Sequence, residues 1–204
     1  PQGALAPDPF AERTGPPEVL YIGRLTSKKG LSILLSAAAR VLEREPETRF
    51  LIAGEGEEKH RLIEQAAELG ISRRVFFLGS ISDEAKRAAY GRAAAFALPS
   101  VSEPFGLTPL EALGEGTPVV LTKAAGVAEV RPSAPAVEPW DVGAMANALC
   151  DIIGSRGDPQ GLGSRLVAEG RREMSALAWD RSAQALARAL GLAVSRSGSP
   201  APQP

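Results

Sequence analysis

Three stretches of the 204-residue chain set charged side chains beside glycines, where loops would leave a strand and enter a helix. The longest runs Ser100-Val-Ser-Glu103-Pro-Phe-Gly-Leu-Thr-Pro-Leu-Glu111. Pro104 and Gly106 shape a turn that can aim the N–H groups of Phe105, Gly106 and Leu107 at an anion. A helix is expected over 105–115. Glu111 then lies about a turn and a half inside it, at ~3.6 residues per turn. There it can accept hydrogen bonds from a pair of sugar hydroxyls, as acidic residues do for a ribose. The alternative is an acidic helix entry favoured by the dipole, which accounts for Glu103 but less easily for Glu111 among Leu110, Ala112 and Leu113. The second stretch is Gly23-Arg-Leu-Thr-Ser-Lys-Lys29-Gly30. Gly23 lets the backbone turn, Arg24 emerges at the edge of a sheet, and Lys29 stands at a helix entrance. A planar fork and a point charge suit a diphosphate; the alternative is two solvated basic residues in a loop. The third, Gly54-Glu55-Gly56, lacks the third glycine of a dinucleotide fingerprint, since Lys59 stands there. Alone it reads as a tight strand-to-helix turn and argues against a standard NAD site.

These stretches follow short apolar runs. Strands are expected at 19–23, 50–54, 75–79, 95–98 and 118–122, with a short sixth at 136–138. Helical spacing appears at 31–44, 57–69, 82–92, 105–115, 141–153, 163–174 and 179–190. Ser82 is a candidate N-cap, with Asp83 and Glu84 in the first turn. Strands without in–out alternation are buried on both faces, and strands separated by helices need crossovers. The expected fold is therefore α/β: a Rossmann-like, doubly wound parallel sheet with helices on both faces and ligands at the carboxyl ends of the strands. Residues 1–17 read as a linker, 18–192 as the domain and 193–204 as a disordered tail.

Composition narrows the function. Lys plus Arg is 23 and Asp plus Glu is 24, a net charge of 23 − 24 = −1. No nucleic-acid partner is expected from so balanced a chain. Cys150 and His60 are the single cysteine and histidine, so neither a disulfide nor a Cys/His zinc site is expected. His60 reads as solvated, Cys150 and Trp179 as packing residues. No run approaches the ~20 apolar residues of a membrane span. No signal peptide is visible, and the chain opens on Pro1, which suggests part of a longer protein.

Taken together, the motifs resemble the C-terminal, nucleotide-sugar-binding half of a GT-B glycosyltransferase of family 4. The resemblance rests on Gly-Arg-Leu at 23–25 with Lys-Gly at 29–30, Leu-Ile-Ala-Gly-Glu-Gly at 51–56, and Val-Phe-Phe-Leu-Gly at 75–79. It continues in the Glu-x7-Glu element from Glu103 to Glu111 and in Gly-Thr-Pro-Val-Val at 116–120. It implies that Arg24 and Lys29 bind the donor diphosphate and that Glu103 contacts the sugar on the other side of the breaking bond. Gly23, Gly54, Pro104 and the amides of Phe105, Gly106 and Leu107 would border the donor. Glu111 would hold the ribose, and Gly79, Ser80 and Ile81 the base. Such enzymes retain the anomeric configuration without a metal, and the chain has no Asp-x-Asp. The implied partners are a nucleotide-sugar donor and an N-terminal acceptor-binding domain. The implied location is cytoplasmic, with peripheral membrane attachment through that other half as an option. A non-catalytic binding module of the same fold is the alternative. Ala125-Gly126-Val-Ala-Glu129 departs from the family's Gly-Gly-x-x-Glu, and Arg131-Pro-Ser-Ala-Pro135 replaces an Asp-Gly turn. Both departures are expected to lie away from the diphosphate motifs.

Overall fold

A computed structural model describes residues 15–131 and 133–175. Strands β1 (Glu18–Ile22), β2 (Arg49–Ala53), β3 (Val75–Gly79), β4 (Ala95–Leu98), β5 (Val119–Thr122) and β6 (Ala136–Val137) form one parallel sheet, ordered β3-β2-β1-β4-β5-β6. Parallel neighbours cannot be joined by hairpins. The crossovers use helices α1 (Leu31–Arg44), α2 (Lys59–Glu68), α3 (Asp83–Arg92) and α4 (Thr108–Gly114). Helices α5 (Val142–Gly154) and α6 (Leu162–Ser175) follow the last strand.

The sheet is buried on both sides, which is why its strands carry apolar residues at consecutive positions. Val19 and Tyr21 enter one core with Leu31, Leu34, Leu35 and Val41 of α1 and Leu149 and Ile153 of α5. Leu20, between them, enters the other core with Phe96, Leu98, Val119 and Leu121 and with Tyr90, Ala112 and Leu113 from α3 and α4. Spacing of three and four residues along α1 keeps its apolar stripe on the sheet. Polar caps set two of the helix starts: the Ala85 amide donates to Ser82 Oγ (3.2 Å) and the Ala144 amide to Asp141 Oδ1 (2.8 Å).

Two helix starts differ from the sequence reading by two residues or more. Helix α2 begins at Lys59 rather than at residue 57, and α4 begins at Thr108 rather than near Gly106. Gly106 has φ +91°, a left-handed conformation that an α-helix cannot contain. Pro109 sits in the first turn, where its missing N–H costs nothing. Glu111 is consequently in the first turn of α4, not a turn and a half inside. The helix expected at 179–190, residues 1–14 of the expected linker and the expected tail lie outside the described residues.

At the carboxyl edge the loops are laced together. The Gly23 amide donates to Ala53 O (3.0 Å), Leu25 to Glu55 O (2.9 Å) and Gly54 to Gly79 O (2.8 Å). Gly54 has φ +132°, and a Cβ there would stand 1.9 Å from Gly23 O. Gly70 has φ +71°, and a Cβ there would meet nothing within 4 Å. Alanine at Gly70 should therefore cost only the left-handed strain, about 1–2 kcal/mol. Alanine at Gly54 should cost clearly more, because two loop backbones must also separate. Urea unfolding of both variants checks this; equal losses would mean that the β1 and β2 loops are not in contact.

Candidate functional site: the crevice between β1 and β4

Strand order reverses between β1 and β4, so the loops after these strands run to opposite sides and leave a crevice at their carboxyl ends. From β1 come Gly23 and Arg24, and the turn Ser27–Lys29 leads into α1. From β4 comes the loop that ends at α4. The two loops touch: the Val101 amide donates to Lys28 O (2.9 Å), and Lys29 Nζ donates to Glu103 Oε2 in an ion pair. Both charged side chains are largely buried, at 20 % and 13 % exposure. The crevice holds a cavity of about 370 Å³ whose lining includes Gly23, Lys29, Glu103, Phe105, Gly106 and Leu107. A second, of about 390 Å³, includes Arg24, Gly54, Glu55, Ser80, Ile81 and Lys86 in its wall. Ile22 and Gly23 line both, so the cavities adjoin.

The β4 loop is held open toward this space. Glu103 bridges Ala125, the Gly126 amide donates to Glu103 O (3.0 Å), and the Val127 amide donates to Phe105 O (2.7 Å). The N–H groups of Phe105, Gly106 and Leu107 donate to nothing among the described residues. Unsatisfied amides and a lysine around one cavity, with an exposed arginine on the adjoining one, are groups that can meet an anion.

Beneath the crevice, the buried Tyr21 hydroxyl donates to Arg24 O (2.9 Å). Burial, then the Glu103 carboxylate, pushes its pKa far up, while Arg24 opposes this weakly; the phenol stays a donor. Glu111 stands to one side, in a cavity of about 550 Å³ between α3 and α4. Its Oε2 accepts from Tyr90 Oη (2.9 Å) and pairs with Lys86 Nζ (2.6 Å). Burial, then that hydrogen bond, raises the Tyr90 pKa as well.

Residues 6–160 match the family model described as glycosyl transferases group 1. The chain belongs to this family. It is 37 % identical over 202 residues to a glycogen synthase of Mycobacterium tuberculosis, covering 96 % of this chain and 48 % of the relative. A sucrose-phosphate synthase of Thermosynechococcus elongatus superposes with a TM-score of 0.72 at 30 % identity, covering 88 % of this chain and 45 % of that one. Anabaena HepE, solved in complex with UDP and glucose, superposes with a TM-score of 0.72 at 25 % identity, covering 86 % and 48 %. The chain spans about half the length of the curated relatives it matches.

In this group 1 glycosyltransferase domain the residues singled out by motif fall around the two adjoining cavities, with Gly79 at their border through its carbonyl bond to the Gly54 amide. Glu111 alone lies behind them, reached past Lys86 and Leu107. Lys29 and Glu103, read as standing on opposite sides of a breaking bond, are also joined as an ion pair, because a largely buried ammonium needs a counter-charge. One expectation is corrected. Ala125 and Gly126 do not lie away from the site; they carry the backbone of Glu103. Sequence reasoning misses Tyr21, Lys86 and Tyr90. A tyrosine amid the aliphatic β1 run and a Lys–Tyr pair four apart on one helix face are the available signals.

His60 is exposed on α2, and Cys150 is buried in α5 with its thiol pKa raised chiefly by burial. Among the described residues no three His, Cys, Asp or Glu side chains converge, and no helix is long and apolar enough to cross a membrane.

The ion pair has a measurable consequence. A double-mutant cycle on Lys29→Met and Glu103→Gln should give a coupling within the ~0.5–3 kcal/mol seen for contacting residues. The more exposed Lys59–Glu55 pair, at 32 % and 53 %, should give less. Coupling near zero for Lys29–Glu103 would show that the two loops are not joined there.

Proposed function

We propose that this chain is the nucleotide-sugar donor half of a retaining GT-B glycosyltransferase of family 4, which transfers a hexose-type sugar from an NDP-sugar to an acceptor held by a second half. The observation that carries the reading is the β1–β4 crevice, where Arg24, Lys29 and three unpaired amides stand around two adjoining cavities, one of which Glu103 lines. Breaking the sugar–phosphate bond leaves negative charge on the diphosphate and develops positive charge on the sugar. Arg24, Lys29 and the amides stabilise the first; the Glu103 carboxylate faces the second. In this reading Glu111 takes the ribose hydroxyls, and Gly79, Ser80 and Ile81 border the base. The bound UDP of HepE, a relative that superposes over 86 % of this chain, supports a nucleoside diphosphate as ligand.

The reading needs no catalytic metal, since the two cations meet the diphosphate themselves. It places the acceptor site on the other half, and with it any attachment to the cytoplasmic face of a membrane. Transfer by this chain alone is then negligible, because holding donor and acceptor together supplies about 7–11 kcal/mol of the barrier.

Titration calorimetry with UDP, GDP and ADP in EDTA tests this. At least one should bind, and Arg24→Ala should weaken that binding by about 10-fold, the scale of one charge-assisted hydrogen bond. Binding only with magnesium or manganese, or equal affinity in Arg24→Ala, would contradict it.

A further inference from the structure

Lys86 belongs to two cavities at once. It lines the Arg24–Ser80–Ile81 cavity and also the α3–α4 cavity that holds Glu111. Its ammonium lies 6.0 Å from the centre of the Tyr90 ring and 2.6 Å from Glu111 Oε2. Tyr90 Oη reaches that same oxygen, at 2.9 Å. One hydrogen bond, from Tyr90, and one ion pair, to Lys86, therefore converge on Oε2, and among the described residues Oε1 accepts from none. Tyr90 is fixed from below: its ring is buried edge-on to Phe96 at 5.6 Å, and its carbonyl accepts from the Thr117 hydroxyl. Tyr90 thus sets where Glu111 Oε2 sits, and Lys86 sets which way the carboxylate turns.

From this geometry we propose that Lys86 is a positioning residue that holds Glu111 with Oε1 turned to accept a ribose hydroxyl. It gives the site its preference for ribonucleotides over 2′-deoxyribonucleotides. The proposal rests on the reading of Glu111 as the ribose ligand. An ammonium has three N–H donors, and its ion pair with Glu111 uses at most one of them. Since Lys86 lines both cavities, a ribose oxygen at the wall they share can accept another. A plain surface ion pair between α3 and α4 would be worth ~0–1 kcal/mol of stability and would carry no ligand preference. The sugar preference is thus the property that separates a positioning role from a bracing one.

The test compares whichever of UDP, GDP and ADP binds most tightly with its 2′-deoxy counterpart, by calorimetry on the whole chain. Wild type should prefer the ribonucleotide by about 10-fold, the scale of one hydrogen bond to a charged group. Lys86→Met should bring that ratio to within about 2-fold of unity with the 2′-deoxy affinity little changed, and Lys86→Arg should restore most of it. Glu111→Gln should also flatten the ratio. A wild-type ratio retained in Lys86→Met overturns the proposal. So does an equal loss for both nucleotides, which would place the ammonium on the diphosphate or base instead. No sugar preference in wild type would remove Glu111 from the ribose and the proposal with it, while leaving the diphosphate site standing. No binding of any nucleotide would remove the donor reading itself.

Discussion

Lys29 and Glu103 are separated by 74 positions, and their ion pair joins the two loops on which the crevice is built. Neither loop holds its shape alone. The β1 loop is tied to the β2 loop through Gly23 and Leu25, and the β4 loop to residues 124–127 through Glu103 and Phe105. The pair and the Val101–Lys28 backbone bond connect these two supports across the point where the strand order reverses. The parallel sheet makes that point unavoidable: once β4 pairs with β1 on the side opposite β2, the following loops must part.

The arrangement explains how charged groups can sit at low exposure without destabilising the domain. Lys29 and Glu103 neutralise one another. The more exposed Glu111 is also met, by an ammonium and a phenol. Tyr21 is protonated beneath Arg24 and supports its carbonyl, so the exposed guanidinium rises from a fixed backbone position. A diphosphate entering such a site would meet donors already oriented, which limits the ordering cost of binding. Phe105 and Leu107, at 40 % and 66 % exposure, form an apolar lip on the same loop. That is an uncommon cost for a free surface and a natural one for a wall that a sugar ring or a second domain covers.

The architecture was legible because burial on both sheet faces leaves a strong trace: four- and five-residue apolar runs alternating with helical stripes at ~3.6-residue spacing. Ser82 and the glycine-ended strands marked boundaries for local chemical reasons. What escaped was tertiary. The start of α4 depends on the left-handed Gly106, where an added Cβ would crowd Leu98, Glu103 and Val127. The Lys29–Glu103 pair and the roles of Tyr21, Lys86 and Tyr90 are contacts between distant elements. Motif spacing identified Glu103 and Glu111 as chemically interesting, yet it could not say that each already has a cationic partner.

In the proposed function the loops after β1 and β4 form one anion-binding crevice on this chain by itself. Amide chemical-shift mapping during a titration with UDP addresses it residue by residue. The largest shifts are expected at Gly23, Arg24, Phe105, Gly106 and Leu107, with smaller ones at Gly54, Ser80 and Ile81. Shifts confined to the distant groove around Leu51, Phe76 and Ala88, with those amides unmoved, would contradict it.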